Sequence, residues 1–214
     1  MDDDSFHFRD KMKKSINRRT VLSSILGYFL TKPLYAKLLC PITPSQPKGP
    51  FYKKKILNVL DMTNKGKALG EIIEIKGIVS NTQCRPEHSC TIKIWQANSF
   101  GKYNHKNDLS INQIDPNFIG YNKIKTKKDG SFKFTTILPG PYKVSKNIVR
   151  APHIHLLIKT KGNKELITQL YFKNNLYNNN DFLFKRLKKK ELLEVSLKPK
   201  KYSKIKTGTL NINL

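Results

Sequence analysis

The chain of 214 residues reads as an all-β protein, a β-sandwich interrupted by long loops. Short runs rich in β-branched and aromatic residues recur between turn residues, several alternate strictly between apolar and polar, and no segment after residue 40 sustains a helical period. Regularly spaced short strands of this kind favour two packed sheets. In order, strands are expected at 72–79, 91–96, 122–126, 131–137, 153–158, 165–172, 192–197 and 209–214. Alternation in C-T-I-K-I-W turns Ile92 and Ile94 to a core, and S-F-K-F-T does the same for Phe132 and Phe134. Lys128-Asp129-Gly130 supplies a hairpin turn before the second of these. Pro152 stands at the entrance of the strand 153–158. Two stretches, 97–121 and 139–150, read as irregular, and connections of that length inside a compact domain usually carry function.

The length suits one domain over 41–214 with an appendage over 1–40. In that appendage K-M-K-K-S-I-N-R-R-T precedes an apolar run at 21–30 and then T-K-P-L-Y-A. This is the outline of an export signal, with an apolar run too short to span a bilayer. Arg18 and Arg19 before Thr20-Val21-Leu22 look like a twin-arginine signal, a route that carries folded, cofactor-loaded proteins. Export to the periplasm or medium is therefore expected; the alternative is a cytoplasmic protein whose segment forms an amphipathic helix packed on the domain or on a partner. Cys84 and Cys90 flank R-P-E-H-S between two strand-like runs and could bridge in an oxidising compartment, leaving Cys40 single; two ordinary thiols are the alternative. Lys and Arg outnumber Asp and Glu by 41 to 15, but the excess is scattered lysine, and no zinc-finger spacing or RNA-binding aromatic signature makes it a specific nucleic-acid site.

Val149 to Ile158 carries the chemistry. In V-R-A-P-H-I-H-L-L-I, His153 and His155 share one face of a strand, where two neutral imidazoles can converge on one metal ion if other segments complete the site. H-x-H alone is more often a pair of solvated or hydrogen-bonded side chains. Each long loop holds a tyrosine, Tyr103 and Tyr142, and phenolate oxygen is a hard anionic donor suited to a ferric ion. Spacing does not select these two from the nine tyrosines of the chain.

The segments around them make the selection. P-I-T-P-S-Q-P-K-G-P-F-Y (41–52), I-K-I-W-Q-A-N-S-F-G-K-Y-N-H (92–105), I-D-P-N-F-I-G (114–120), D-G-S-F-K-F-T-T-I-L-P-G-P-Y (129–142), R-A-P-H-I-H (150–155) and L-I-T-Q-L-Y-F (166–172) together resemble the intradiol ring-cleavage dioxygenases, with likeness to protocatechuate 3,4-dioxygenase subunits. The resemblance implies a non-haem Fe(III) held by Tyr103, Tyr142, His153 and His155, and cleavage of a catechol by O2 between its two hydroxyl-bearing carbons to a cis,cis-muconate-type diacid. It implies that Tyr142 accepts a substrate proton, that Arg150 stabilises negative charge developing on the ring, and that Gln169 hydrogen-bonds near the same place. It also implies a homo- or hetero-oligomer. Trp95 and Gln96 match as well, and Trp95 reads as core.

Two positions depart from the pattern. Val144 stands where protocatechuate enzymes commonly carry Trp, which puts the substrate in question, and Lys48 stands where an acidic residue is common. Neither is an expected ligand. The competing expectations are a β-sandwich binding module that kept the fold without the chemistry, and a basic nucleic-acid-binding protein.

Overall fold

The computed structural model describes residues 39–59 and 61–214. The expected export segment, with Arg18 and Arg19, lies outside the described residues except for Leu39 and Cys40. Among the described residues twelve strands are observed: β1 (Ile72–Ser80), β2 (Thr91–Trp95), β3 (Tyr121–Lys125), β4 (Ser131–Ile137), β5 (Tyr142–Ser145), β6 (Ile148–Arg150), β7 (His153–Lys159), β8 (Glu165–Phe172), β9 (Glu194–Val195), β10 (Lys198–Pro199), β11 (Lys206–Thr209) and β12 (Ile212–Asn213). A single helical turn, α1, spans Phe182–Lys185. No helix among the described residues is long and apolar enough to cross a membrane.

Two five-stranded sheets build the sandwich. In the first, β1 pairs antiparallel with β4 on one edge and parallel with β11 and then β12 on the other, with β10 outside β11. The second has the order β3-β2-β7-β8-β9. Alternation drives the packing: Ile73, Ile75, Phe132 and Phe134 from the first sheet meet Ile92, Ile94, Ile154, Leu156 and Ile158 from the second in one buried cluster. Each such side chain contributes roughly 1.5–3 kcal/mol on burial. Ile92, Ile94, Phe132 and Phe134, expected in the core from alternation, lie in this cluster.

Four expectations need correction. The stretch 139–150 is not irregular throughout: β5 and β6 form a two-stranded hairpin with Tyr142 opposite Arg150, too short and too isolated from the main sheets to show alternation. The turn at Lys128-Asp129-Gly130 is tight, with Gly130 at φ 74°, yet it does not join a hairpin. It passes the chain from β3 in one sheet to β4 in the other, because β4 finds its partner along seven positions of β1. The strand expected at 192–197 shrinks to β9, and that at 209–214 divides into β11 and β12, where Leu210 donates its N–H to the carbonyl of Lys76.

The fourth correction concerns the cysteines. Cys40 bridges Cys84, with Cα atoms 5.3 Å apart, and Cys90 is a free thiol wholly buried in the core. Cys90 turns inward just before β2, and the N–H of Cys40 donates to the Thr82 carbonyl, which lays the strap of residues 39–59 beside Cys84. With 44 residues of separation, the bridge contributes about 4 kcal/mol in the chain-entropy description. It also ties down one end of the strap. From there the strap crosses the outer face of the second sheet: Gln46 N–H donates to the Ile167 carbonyl, Thr168 Oγ1 to Pro44 and Gln169 Nε2 to Pro47.

Candidate active site

Strap and sheet enclose the histidine face. β7 is buried on both sides: Ile154, Leu156 and Ile158 face the core, so His153 and His155 face outward, beneath the strap. Both are 2 % exposed. Register sets their neighbours. Trp95, His155 and Gln169 occupy one row across β2, β7 and β8, and His153 stands opposite Tyr171 in another row. Trp95 is core, as expected, and it also backs the site: its ring lies 4.8 Å from that of His155 and within 5° of parallel.

The two tyrosine loops close the remaining side. They touch through backbone, because Gly101 and Gly140 leave no room for a side chain. A Cβ on Gly101 would fall 2.1 Å from the Pro141 carbonyl oxygen, and one on Gly140 2.3 Å from that of Ser99. Gly101 also sits at φ 75°, where a side chain is strained. Both glycines donate N–H to the Asn98 carbonyl, which fixes the approach. Asp108 then anchors Tyr103, accepting from its N–H at 2.7 Å and pairing with Lys102 at 3.4 Å.

The result brings together all four expected ligands. The Tyr103 and Tyr142 rings meet edge-on at 5.5 Å, the two imidazoles at 4.9 Å, and Tyr142 and His153 at 5.6 Å. His153 Nδ1 donates to the Ala151 carbonyl at 2.6 Å, which leaves the Nε2 lone pair facing the Tyr142 hydroxyl 3.5 Å away. The Tyr103 hydroxyl and His155 Nδ1 are buried with no hydrogen-bond partner among the described residues. Burial pushes the Tyr103 phenol well above its ordinary range, and Tyr142 adds to the shift; burial raises Tyr142 too, against the pull of Arg150. Both imidazoles are driven well below their ordinary pKa by burial, His153 further by Arg150 and His155 by His153 and Arg150. Such a cluster lacks a positive centre.

Among the described residues no group of three or more His, Cys, Asp or Glu could hold a metal. This cluster has two histidines, and its other donors are phenols. Two hard oxygens that become anionic and two imidazoles fit a ferric ion and suit a soft metal poorly. An unsatisfied buried hydroxyl costs about 1–3 kcal/mol, a cost that coordination to such an ion would remove.

Arg150 and Gln169 lie beside the cluster as expected, 5 % and 0 % exposed, and Gln169 is covered by the strap rather than solvated. The Arg150 guanidinium donates to Gln169 Oε1 at 2.6 Å, to the Tyr171 hydroxyl at 3.2 Å and to Asp181 Oδ2 at 2.8 Å. Burial works against its charge, but Tyr142, Tyr171 and Asp181 outweigh it. Asp181 was not anticipated. Its carboxylate also accepts from the N–H groups of Ala151, Leu183 and Phe184, so one wholly buried side chain holds Arg150 and caps α1. The N-N-N-D-F-L-F run carries its signal, an Asp just before an apolar helical turn. A cavity of about 350 Å³ opens against Tyr142, Arg150 and Gln169, roofed by Pro47, Pro50 and Phe51 of the strap.

Residues 48–212 match the dioxygenase family model. The chain is 33 % identical over 135 residues to the protocatechuate 3,4-dioxygenase beta chain of Burkholderia cepacia, covering 62 % of this chain and 56 % of that one. It is 27 % identical over 160 residues to the chlorocatechol 1,2-dioxygenase of Rhodococcus opacus, covering 65 % and 60 %. The chain thus spans less than two thirds of the length of these relatives. Among solved structures, the dioxygenase domain of a dioxygenase carbohydrate-binding protein fusion from Streptomyces sp. SirexAA-E superposes with a TM-score of 0.66 at 26 % identity, over 81 % of this chain and 98 % of that one. The 3-chlorocatechol 1,2-dioxygenase of Rhodococcus opacus shares the fold at a TM-score of 0.66 and 21 % identity, over 90 % and 76 %. By its match over residues 48–212, the chain belongs to the intradiol ring-cleavage dioxygenase family.

Proposed function

We propose that this protein is an iron-dependent dioxygenase that opens a catechol ring between its two hydroxyl-bearing carbons, using O2 and releasing a cis,cis-muconate-type diacid. One observation carries the reading: two phenols and two imidazoles converge in a buried site where the Tyr103 hydroxyl has no hydrogen-bond partner of good geometry among the described residues. Tyr103, Tyr142, His153 and His155 would hold the ferric ion. That ion would supply the charge that ionises both phenols, would bind the two catechol oxygens and would make the ring reactive toward O2.

The side chains supply the rest. Tyr142 forms part of the cavity wall, so its phenolate can take a proton from an arriving catechol hydroxyl. His153 is held by the Ala151 carbonyl in the tautomer whose Nε2 faces that phenol. Arg150, fixed by three partners, presents a positive charge whose field stabilises negative charge developing on the ring. Gln169 links that guanidinium to the Pro47 carbonyl, so the strap excludes water and stays in register with the arginine. Product identification with oxygen uptake by the iron-loaded protein, across a panel of catechols, tests the proposal. Expected are one O2 per ring, a muconate-type diacid and a burgundy colour from phenolate-to-iron charge transfer; a colourless protein unable to take up iron would refute it.

Export of the protein is part of the proposal. The Cys40–Cys84 bridge supports an oxidising compartment, as does the Arg18-Arg19 motif. Mass analysis of thiols trapped in intact cells should find Cys40 and Cys84 linked and Cys90 free. Three free thiols would place the protein in a reducing compartment.

A further inference from the structure

We propose that the preferred substrate is a catechol whose ring substituents are apolar, alkyl or halogen, and that the pocket rejects carboxylated catechols. The inference rests on the ring-cleavage reading above and specifies what else the cavity accepts. Apart from Tyr142 and Gln169, the wall beyond the arginine is made of strap residues from Pro47 to Phe51 with Val144, Phe182 and Leu183. Val144 comes from β5, and Phe182 and Leu183 from α1. Among the described residues lining the cavity, Arg150 is the sole cation.

That cation is already matched. Its Nε holds the wholly buried Asp181 at 2.8 Å, and its Nη2 is shared by Gln169 and Tyr171. A substrate carboxylate reaching Arg150 would bring a second negative charge beside Asp181, where like charges repel in a medium of low dielectric. The neighbouring basic side chains do not line this cavity. The Lys48 ammonium sits 4.9 Å from the centre of the Tyr52 ring, and the Arg186 guanidinium lies 6.0 Å from that of Phe182. Lys143, at the register shift in β5, lines the two neighbouring clefts, which share Tyr142 and Val144 with this cavity, but does not line the cavity itself. A carboxylate in the cavity would have to compete with Asp181 for Arg150, whereas a methyl group or chlorine meets Val144, Phe182 and Leu183. The net charge of +26 hastens the encounter with any anion but gives it no partner inside.

The test compares kcat/KM of the iron-loaded protein for 4-methylcatechol and 3,4-dihydroxybenzoate, alongside anaerobic titration of its visible absorption with each. A preference of about tenfold or more for 4-methylcatechol is expected, since Val144 and Phe182 are partly exposed and solvent screens part of the cost of the charge. Val144→Lys and Leu183→Arg, which each add a cation to the wall, should narrow or reverse the ratio, and equal turnover of both compounds by the unaltered protein would overturn the inference. So would preference for the carboxylated compound, and loss of that preference in Lys143→Ala would then identify the cation overlooked. If neither compound is bound or consumed, the ring-cleavage reading itself fails and takes the inference with it.

Discussion

Replacing Tyr103 by Phe should shift the thermal stability of the metal-free and iron-loaded forms in opposite directions. The hydroxyl is buried without a hydrogen-bond partner of good geometry among the described residues, while the ring stacks on Phe51 at 4.3 Å and should stay in place in the variant. In metal-free protein the substitution removes an unsatisfied polar atom and should stabilise the fold by about 1 kcal/mol, raising Tm by roughly 2–4 °C. With iron present the stabilisation by mass action depends on affinity, and a lost ligand reduces it. Iron should therefore raise Tm less in the variant than in the native protein. Activity should fall by more than the roughly 10–100-fold that loss of an outer-shell partner costs, and the colour should weaken. A purely structural Tyr103 would move both forms the same way; that result, from paired melting curves with and without iron, would remove it from the ligand set.

The sandwich was legible where strands such as β2 and β4 bury one face. Alternation therefore survives in C-T-I-K-I-W and S-F-K-F-T, and β4 and β8 begin and end where the pattern places them. The β5–β6 hairpin was not legible: it belongs to neither main sheet, and most of its residues are exposed. Pairing of Cys40 with Cys84 depends on where the strap lies, which no local spacing encodes. The site divides in the same way. The strand period gives His153 and His155 a shared face, but that they are sealed from water follows from the strap, 100 residues earlier in the chain, laid over them. Tyr103 and Tyr142 came from resemblance rather than spacing, and the backbone contact through Gly101 and Gly140 supplies the physical reason these two converge. Asp181 and Asp108 escaped because their work is done through neighbours.

Asp181→Asn should be the most damaging single change outside the proposed ligands. Both carboxylate oxygens act as acceptors toward four donors: Oδ2 toward Arg150 Nε and Ala151 N–H, each at 2.8 Å, and Oδ1 toward Leu183 and Phe184 N–H at 2.9 and 3.0 Å. An amide has one acceptor oxygen, so either orientation points an NH2 group at two donors. It also leaves Arg150 charged and buried without its counter-ion, for a cost of about 3–5 kcal/mol and a Tm lower by ~6–20 °C. In Arg150→Met the reverse charge is stranded. The double variant Arg150→Met/Asp181→Asn should therefore lose less stability than the two singles added together, with a coupling of about 0.5–3 kcal/mol measured in denaturant. Catalysis separates the roles. If Asp181 positions the arginine, Asp181→Asn should lower kcat much as loss of one preorganised charge does, about 10²–10³-fold, and adding it to Arg150→Met should lower kcat little further. Full activity in a folded Asp181→Asn protein would show that Arg150 needs no such hold.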